Sequence, residues 1–291
     1  MRIFVTGATG GIGSAVVREL IEAGHQVVGL ARSDNSAAAL TAAGAEVHRG
    51  SLDDLDSLHS GATAADGVIH LAFNNDFIDY ASAVAADLRA VEAMGAALVG
   101  SGKPFVITSG TLMVMPGRMA TEEDPGLAGL PRVEAENAAL ELAKCGVRSA
   151  VVRLAPCVHD ADRQGFASLL IGLARDKGVS AYIGDGSNRW PAVHRLDAAH
   201  LFRLAVESAP AGSRLHGVGE EGIRFRDIAA AIGSHLNLAV VSISREEADK
   251  HFGWFAQVVS TDNPTSSALT QERLGWRPDG PTLIADIEQA Q

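Results

Sequence analysis

Apolar and polar positions along the first half of the chain follow two alternating patterns. Between Ile12 and Ile21 the apolar side chains recur at helical spacing, and Gly24 ends that helix. The runs between such helices are short and apolar throughout, which is typical of parallel strands covered on both faces. Because crossovers between parallel strands share one hand, the pattern predicts an α/β fold with a doubly wound parallel sheet. The predicted strands are residues 2–5, 26–31, 46–48, 68–73, 105–108 and 149–154.

Three more helical patterns separate these strands. A short Ala-rich helix, capped by Asn35 or Ser36, ends at Gly44. A long Ala-rich helix is predicted over 79–99 and another over 133–143. Each fills the gap between two strands, as a parallel sheet requires.

The regular alternation of strands and helices ends after about Pro156, where loops lengthen and Gly, Arg and His become more frequent. We therefore predict a main domain over 1–155 and a smaller C-terminal lobe over 156–291, with the segment 192–208 packing back on the main domain. The cleft between them is the expected ligand site. The elements predicted in this part are helices over 166–177, 196–207 and 225–236, and strands over 215–218 and 240–243.

Composition and charge narrow the possible partners. Hydrophobic residues make up 47% of the 291 positions and charged residues 20%, which is typical of a soluble globular protein. Lys and Arg total 24 against 35 for Asp and Glu, a formal net charge of −11. Nucleic acids and anionic membrane surfaces bind cationic proteins, so neither is an expected partner. We expect a small-molecule substrate instead.

Cys145 and Cys157 form neither a metal-ligand spacing nor a disulfide framework, so no metal site is expected. Two thiols in a chain of this size fit a reducing compartment. The first residues show no extended apolar core of a signal peptide, and no run of about 18 apolar residues could span a membrane. These features predict a cytoplasmic protein.

A glycine-rich turn follows the first strand and opens the first helix. Gly7 permits a tight turn, Gly10 lets a diphosphate approach the backbone, and Gly13 lets the helix pack close to the strand. The helix N-terminus offers free N–H groups and the positive end of its dipole to the phosphates. This strand–turn–helix context predicts a dinucleotide site. Its predicted cofactor-binding residues are Thr6, Gly7, Thr9, Gly10, Gly11, Ile12 and Gly13.

The Thr-Gly-x-x-Gly-x-x-Gly spacing resembles the short-chain dehydrogenase/reductase superfamily. More narrowly, it resembles the extended form, which includes the NAD-dependent epimerases and dehydratases. Motifs similar to that family's recur in order along nearly the whole chain, at residues 68–72, 106–109, 153–158, 184–186, 193–197 and 274–278. The resemblance implies a Rossmann fold that binds NAD(P).

The resemblance also implies roles for residues beyond the turn. Leu71 and Ala72 would lie beneath the cofactor ribose, and Pro156 and Val158 near the nicotinamide. Ser109 matches the family's active-site hydroxyl. Relatives often pair through their long helices, which implies a homodimer contact around Asp87 and Glu136.

The end of the second strand bears on the choice between NAD and NADP. An acidic residue there would hold a ribose 2′-hydroxyl, whereas an arginine accommodates a 2′-phosphate. Arg32 and Ser33 occupy this place, and Asp34 follows one step later. We therefore predict a preference for NADP(H), with NAD(H) still open. After the third strand, Ser51 or Leu52 is expected to flank the adenine.

The family's proton donor is missing from this chain. Its usual chemistry uses a Tyr acid with a Lys four residues later, but the only tyrosines are Tyr80 and Tyr182, and neither has this Lys. Alignment through Glu136 places Ala128 at the Tyr position and Arg132 at the Lys position. Arg132 can replace the positive charge and bind a ribose hydroxyl, but a guanidinium does not give up its proton near neutral pH.

Ser109, with Thr111 as the alternative, is the predicted hydroxyl that orients the substrate oxygen. Tyr182, which precedes a glycine-rich turn expected to face the cleft, is the predicted replacement acid, with His194 and His159 as alternatives. A phenol needs a nearby cation to titrate usefully, and Arg189 is a possible source. The catalytic set predicted here is Ser109, Tyr182 and Arg132.

Three functions follow from these observations. The favoured one is an NADPH-dependent reductase of a small carbonyl substrate with a non-standard proton donor. The second is a sugar-nucleotide epimerase or dehydratase, whose phosphates would need basic residues such as Arg189 and Arg195. The third is a non-catalytic regulator that senses NADP(H), which the missing tyrosine favours.

Overall fold

The computed structural model describes residues 1–74, 79–162 and 165–290. Its main body is a seven-stranded parallel sheet with the order β3-β2-β1-β4-β5-β6-β10. The predicted α/β fold with a doubly wound parallel sheet is thus confirmed. The strands of this sheet are β1 (Arg2–Thr6), β2 (Gln26–Ala31), β3 (Glu46–Arg49), β4 (Gly67–His70), β5 (Pro104–Gly110), β6 (Arg148–Leu154) and β10 (Ser213–Gly217).

Helices cover both faces of the sheet, and each contributes an apolar stripe to one of two cores. The first face packs against α1 (Gly11–Glu22), α2 (Asp34–Ala42) and α7 (Arg195–Ser208). The second face packs against α3 (Leu55–Thr63), α4 (Tyr80–Leu98) and α5 (Val133–Glu141). Because strands buried on both faces must be apolar throughout, this layering explains the hydrophobic runs in the sequence.

The smaller lobe contains two short sheets around a third core. One has the order β11-β9-β7, and the other pairs β12 with β8 in parallel. Trp190 is fully buried at the centre, with its ring centroid 5.0 Å from that of Phe225. The lobe strands are β7 (Cys157–His159), β8 (Val179–Ile183), β9 (Arg189–His194), β11 (Glu220–Arg224) and β12 (Ala239–Ile243). The remaining helices are α6 (Phe166–Lys177), α8 (Phe225–Leu236), α9 (Arg245–Phe252), α10 (Ala256–Val259), α11 (Ala268–Leu274) and α12 (Leu283–Gln289).

The C-terminal part of the chain does not stay within the smaller lobe. Helix α7 packs on α1, and β10 pairs with β6 as the edge strand of the main sheet. Helix α11 contacts β10, and Trp276 is fully buried in the core beneath α7. The strand predicted over 215–218 therefore belongs to the main sheet, because α7 acts as the crossover between the parallel strands β6 and β10.

Helix starts differ in detail from the predicted ones. Ser33, rather than Asn35 or Ser36, caps α2, since its hydroxyl accepts a hydrogen bond from the N–H of Ser36. Helix α3 is capped by Asp54, whose side chain accepts a hydrogen bond from the N–H of Ser57. Across the described ranges, no helix is long and apolar enough to cross a bilayer.

Candidate functional site

The glycine turn forms a cradle that side chains would fill. Gly7 has φ +68°, and a Cβ there would lie 2.6 Å from the backbone N of Ala72. A Cβ on Gly13 would lie 2.0 Å from the carbonyl oxygen of Gly7. Gly10 is the N-cap of α1 and has no side-chain oxygen. The first N–H groups of the helix therefore donate no hydrogen bond to a capping side chain. The cradle therefore fits the diphosphate of a dinucleotide.

A cleft of about 1090 Å³ runs from this cradle along the carboxyl edge of the main sheet. Ligands of open α/β sheets bind at that edge. The cleft continues between the sheet and the smaller lobe, where Phe166 and Leu169 line it. The predicted cofactor-binding residues that line it are Gly7, Thr9, Gly10, Gly11, Ile12, Gly13, Arg32, Ser51, Leu52, Leu71, Ala72, Pro156 and Val158.

Two predicted cofactor-binding residues lie elsewhere. Thr6 is fully buried behind the turn, where its hydroxyl contacts His70 Nδ1 at 2.6 Å and accepts a hydrogen bond from the N–H of Ala72. Ser33 is occupied in capping α2, and Ser36 lines the cleft in its place. Both hydroxyls lie off the cleft because a hydroxyl next to a turn or helix start readily bonds the local backbone.

Of the charged residues that follow β2, the cation lies on the cleft and the carboxylate lies outside it. Arg32 lines the cleft, whereas Asp34 is not among its lining residues. Asp34 Oδ1 instead accepts a hydrogen bond of 2.7 Å from the guanidinium of Arg49, at the end of β3. The carboxylate that could hold a ribose hydroxyl is thereby drawn away from the cleft.

Ser109 is the hydroxyl at the carboxyl end of β5 that faces the cleft. Its residue exposure is 3%, and within the described part of the chain its Oγ has no hydrogen-bond partner. Thr111, the alternative, is fully buried away from the cleft and donates a hydrogen bond to Asn263. A buried hydroxyl without a partner on a cleft wall is available to bind a ligand oxygen.

Arg132 lies beside Ser109, just before α5 begins. Its guanidinium carbon is 4.1 Å from the ring centre of Phe73, which also lines the cleft. Its Nη2 lies 3.4 Å from the carbonyl oxygen of Thr108, the residue before Ser109. A guanidinium stacked on an aromatic face retains in-plane N–H groups for a ligand.

A buried polar chain stands behind Arg132. Its Nε is 3.9 Å from Asp87 Oδ2, and Asp87 Oδ1 is 3.1 Å from His70 Nε2. His70 and Asp87 are 2% and 3% exposed, and His70 continues the chain to Thr6. This chain runs from the glycine turn to the Asp87 carboxylate, which faces the Arg132 guanidinium at ion-pair distance.

The predicted acid Tyr182 is outside the cleft. It lies in β8 and packs on the core of the smaller lobe, and it is absent from the described lining of the cleft. Arg189, its expected cation, pairs with Asp262 at 2.8 Å. The prediction placed Tyr182 on the cleft because a glycine turn follows it, but Gly186 packs that turn against Tyr182 and Arg226.

The two alternative acids are also engaged elsewhere. His159 is 1% exposed and its Nδ1 contacts Asp286 at 2.6 Å, with burial lowering the pKa of the imidazole. His194 caps α7 by accepting the N–H of Leu196. Burial also raises the pKa of Cys157 to about 12, so this thiol stays protonated.

Sequence reasoning missed two aromatic residues of the site. Tyr80, the first residue of α4, and Phe73 both line the cleft, and their ring centroids are 6.2 Å apart. A detectable signal existed, because the loop after a parallel strand such as β4 reaches the carboxyl edge of the sheet. Nothing in the described ranges forms a cluster of three side chains able to hold a metal ion.

The basic residues proposed to grip a sugar nucleotide are paired within the protein. Arg189 binds Asp262, and the hydrogen bond from its guanidinium lowers the pKa of that carboxyl. Arg195 pairs with Asp160 and donates a 3.2 Å hydrogen bond to the carbonyl oxygen of Gly11. Arg189 therefore serves the structure, whereas Arg195 joins the lobe to the glycine turn and also lines the cleft.

Comparison with known proteins relates this chain to the NAD dependent epimerase/dehydratase family. The model of the NAD dependent epimerase/dehydratase family matches residues 3–112. An uncharacterised protein of Schizosaccharomyces pombe is 50% identical over 99% of this chain and 98% of its own length. A sterol-4-alpha-carboxylate 3-dehydrogenase (decarboxylating) of Dictyostelium discoideum is 27% identical over 77% of this chain and 73% of its own.

A solved structure shares the fold over the whole chain. The UDP-glucose 4-epimerase of Thermus thermophilus in complex with NAD superposes with a TM-score of 0.77, covering 100% of this chain and 97% of its own. The two sequences are 18% identical, so the likeness is one of fold.

Proposed function

We propose that this chain, which belongs to the NAD-dependent epimerase/dehydratase family, reduces a small carbonyl compound with NADPH. The resemblance to the extended short-chain dehydrogenases/reductases that the sequence motifs indicated is confirmed by the family match. The observation that carries the proposed reaction is the buried, unpartnered hydroxyl of Ser109 on the wall of the cleft that begins at the glycine cradle.

Ser109 and Arg132 supply the polar contacts for the substrate. The Ser109 hydroxyl donates a hydrogen bond to the carbonyl oxygen and so polarises the C=O bond. Arg132 places a fixed positive charge at the same end of the cleft, where negative charge develops on that oxygen. The cofactor, when bound along Leu71, Ala72, Pro156 and Val158, supplies a hydride. Apolar side chains of Phe166 and Leu169 exclude water from the substrate end.

The preference for NADPH is supported by charges near the end of β2. Arg32 lines the cleft and can form a bidentate pair with a 2′-phosphate. Arg49 draws the Asp34 carboxylate aside, so that it does not repel that phosphate. If Arg32→Ala leaves the preference for NADPH over NADH unchanged in a fluorescence titration, this part of the proposal is wrong.

The occupied arginines weigh against a sugar-nucleotide substrate. Arg189 and Arg195 are the basic residues that the sequence offered for its diphosphate, and both are paired with carboxylates. We therefore favour a small carbonyl compound, and we retain as proposals a cytoplasmic location and a homodimer contact near α4 and α5. Sedimentation measures the dimer directly.

The experiment that tests the function uses the full chain. NADPH and NADH are titrated by fluorescence, and a panel of aldehydes and ketones is then screened for NADPH oxidation. We expect turnover that falls about 100-fold or more in Ser109→Ala, with NADPH affinity unchanged. Ser180→Ala is the matched control, because Ser180 is equally buried at 3% but lies in the smaller lobe. Tight NADPH binding without turnover over the whole panel would instead favour the non-catalytic sensor.

A further inference from the structure

We propose that the Tyr80 phenol is the proton donor that replaces the missing family tyrosine, an inference that rests on the proposed reductase function. Tyr80 is the first residue of α4 and lines the cleft. It stands far in sequence from the place where the family carries its acid. The inference follows from what surrounds Tyr80 and from which proton donors the cleft contains.

Contacts lead from Tyr80 through Phe73 and Arg132 to Thr108, the residue before Ser109. The Tyr80 ring centroid is 6.2 Å from that of Phe73, and the Arg132 guanidinium stacks on the Phe73 ring at 4.1 Å. Arg132 in turn lies 3.4 Å from the carbonyl oxygen of Thr108, whose neighbour is Ser109. Tyr80 is therefore at the substrate end of the cleft and not at its adenine end.

The chemistry of the lining singles out the phenol. Side chains that act as general acids are His, Asp, Glu, Lys, Tyr and Cys. Within the described ranges, those lining the cleft are Asp53, Asp79 and Tyr80. Asp53 lies beside Leu52 at the adenine end, and Asp79 accepts the N–H of Ser82 as the cap of α4. The guanidinium of Arg132 keeps its proton near neutral pH. This leaves Tyr80 as the donor.

The proposed step balances as follows. The carbonyl carbon gains a hydride, for which the reduced nicotinamide is the reductant, and the carbonyl oxygen forms a new O–H bond. The O–H bond of Tyr80 breaks to supply that proton, and the phenolate regains one from water. The positive end of the 19-residue helix α4, which begins at Tyr80, stabilises the transient phenolate, and Arg132, stacked on the neighbouring Phe73 ring, adds a positive charge at the same end of the cleft.

Two tyrosines make a matched pair of variants. Tyr80→Phe removes the proposed donor, and Tyr182→Phe removes the same hydroxyl from the smaller lobe. We expect kcat to fall about 100-fold or more in Tyr80→Phe while KM and NADPH affinity stay within about twofold, since general acids contribute about 10²–10⁴ in rate. Tyr182→Phe should keep both. Retention of kcat within about threefold in Tyr80→Phe, or an equal loss in both variants, overturns the proposal.

A spectroscopic measurement tests Tyr80 independently of turnover. Addition of NADP⁺ with a non-reacting alcohol should perturb the near-ultraviolet tyrosine absorbance of the native protein and of Tyr182→Phe, but not the tyrosine band of Tyr80→Phe. A missing perturbation in the native protein overturns the placement of Tyr80 at the reacting atoms. If none of the carbonyl compounds supports NADPH oxidation by the native protein, the proposed reductase function is wrong. The difference spectrum still decides whether Tyr80 contacts the ligand.

Discussion

Two helical glycines in this protein differ in whether there is room for a side chain at their position. At Gly13, in the first turn of α1, a Cβ would lie 2.0 Å from the Gly7 carbonyl oxygen, so the helix could not approach the turn. At Gly172, inside α6, a Cβ would meet nothing within 4 Å. Both glycines are helical, which makes them a direct comparison of a required glycine with a replaceable one.

Gly13→Ala should therefore weaken NADPH binding at least tenfold and lower the free energy of unfolding by about 1–3 kcal/mol, because backbone must shift to admit the methyl group. Gly172→Ala should raise the free energy of unfolding by up to about 1 kcal/mol, since alanine favours helix. Urea denaturation and fluorescence titration measure the two effects. Normal NADPH binding by Gly13→Ala would contradict the cradle.

At this scale the sequence predicted most of the residues that line the cleft near the glycine turn and fewer of those at its other end. The glycines, Arg32, Ser109 and Arg132 line the cleft, and their placement could be predicted because each has a fixed place relative to a strand. Tyr182 lies outside the cleft, which the sequence did not show because no periodicity tells which surface a short lobe strand contacts. Tyr80 was overlooked because the expected motif placed the acid in another helix.

Between elements, the buried chain from Thr6 through His70 and Asp87 to Arg132 ties β1, β4, α4 and α5 together. Its members come from four separate segments, yet they meet under the cleft. A buried polar group needs all its partners, because the loss of one leaves a desolvated group without a compensating hydrogen bond. The chain thus acts on the position of Arg132 as well as on stability.

Asp87→Asn should lower the free energy of unfolding by about 1–3 kcal/mol and reduce kcat by displacing Arg132. The control is Glu141→Gln, which removes the carboxylate of an exposed pair with Lys144 and should change stability by less than about 1 kcal/mol. Chemical denaturation measures stability, and NADPH oxidation measures kcat. If Asp87→Asn and Glu141→Gln change the free energy of unfolding equally, the buried chain does not contribute to stability as expected.

Elements with strong periodicity were predictable and those with weak periodicity were not. Helix α4 and the main strands matched, since burial on one stripe or on both faces leaves a clear pattern. The short lobe strands β7 and β9 left none. Glu122, which Glu123 and Asp124 follow in the sequence, is nevertheless 2% exposed and accepts hydrogen bonds from Thr270, a contact between segments that local sequence does not encode.

For the molecule as a whole, stability depends on histidines that are buried in neutral form. His216 is fully buried beside Arg153, and its Nδ1–H donates a hydrogen bond of 2.8 Å to the carbonyl oxygen of Ser266. Burial lowers its pKa from 6.5 to about 4. Burial lowers the pKa of His159 as well. The folded state therefore binds fewer protons than the unfolded chain below pH 6.5.

Stability should consequently be complete above about pH 6.5 and fall as the pH drops towards 4, by at most about 3 kcal/mol for His216. His216→Gln should flatten this part of the curve, whereas His59→Gln, at an exposed histidine, should leave it unchanged. Urea denaturation across this pH range provides the measurement. An equal slope in native protein and His216→Gln would contradict the assignment.

The chain passes several times between the main body and the smaller lobe, which limits how a lobe could be transplanted from one relative to another. The lobe is assembled from β7 to β9, then β11 to α10, then α12, and β10 and α11 lie between them on the main body. A chimaera that borrows a foreign substrate lobe must transplant three separate stretches together. A single crossover after residue 155 would carry the edge strand along with the lobe, and so would pair a foreign β10 with a native β6.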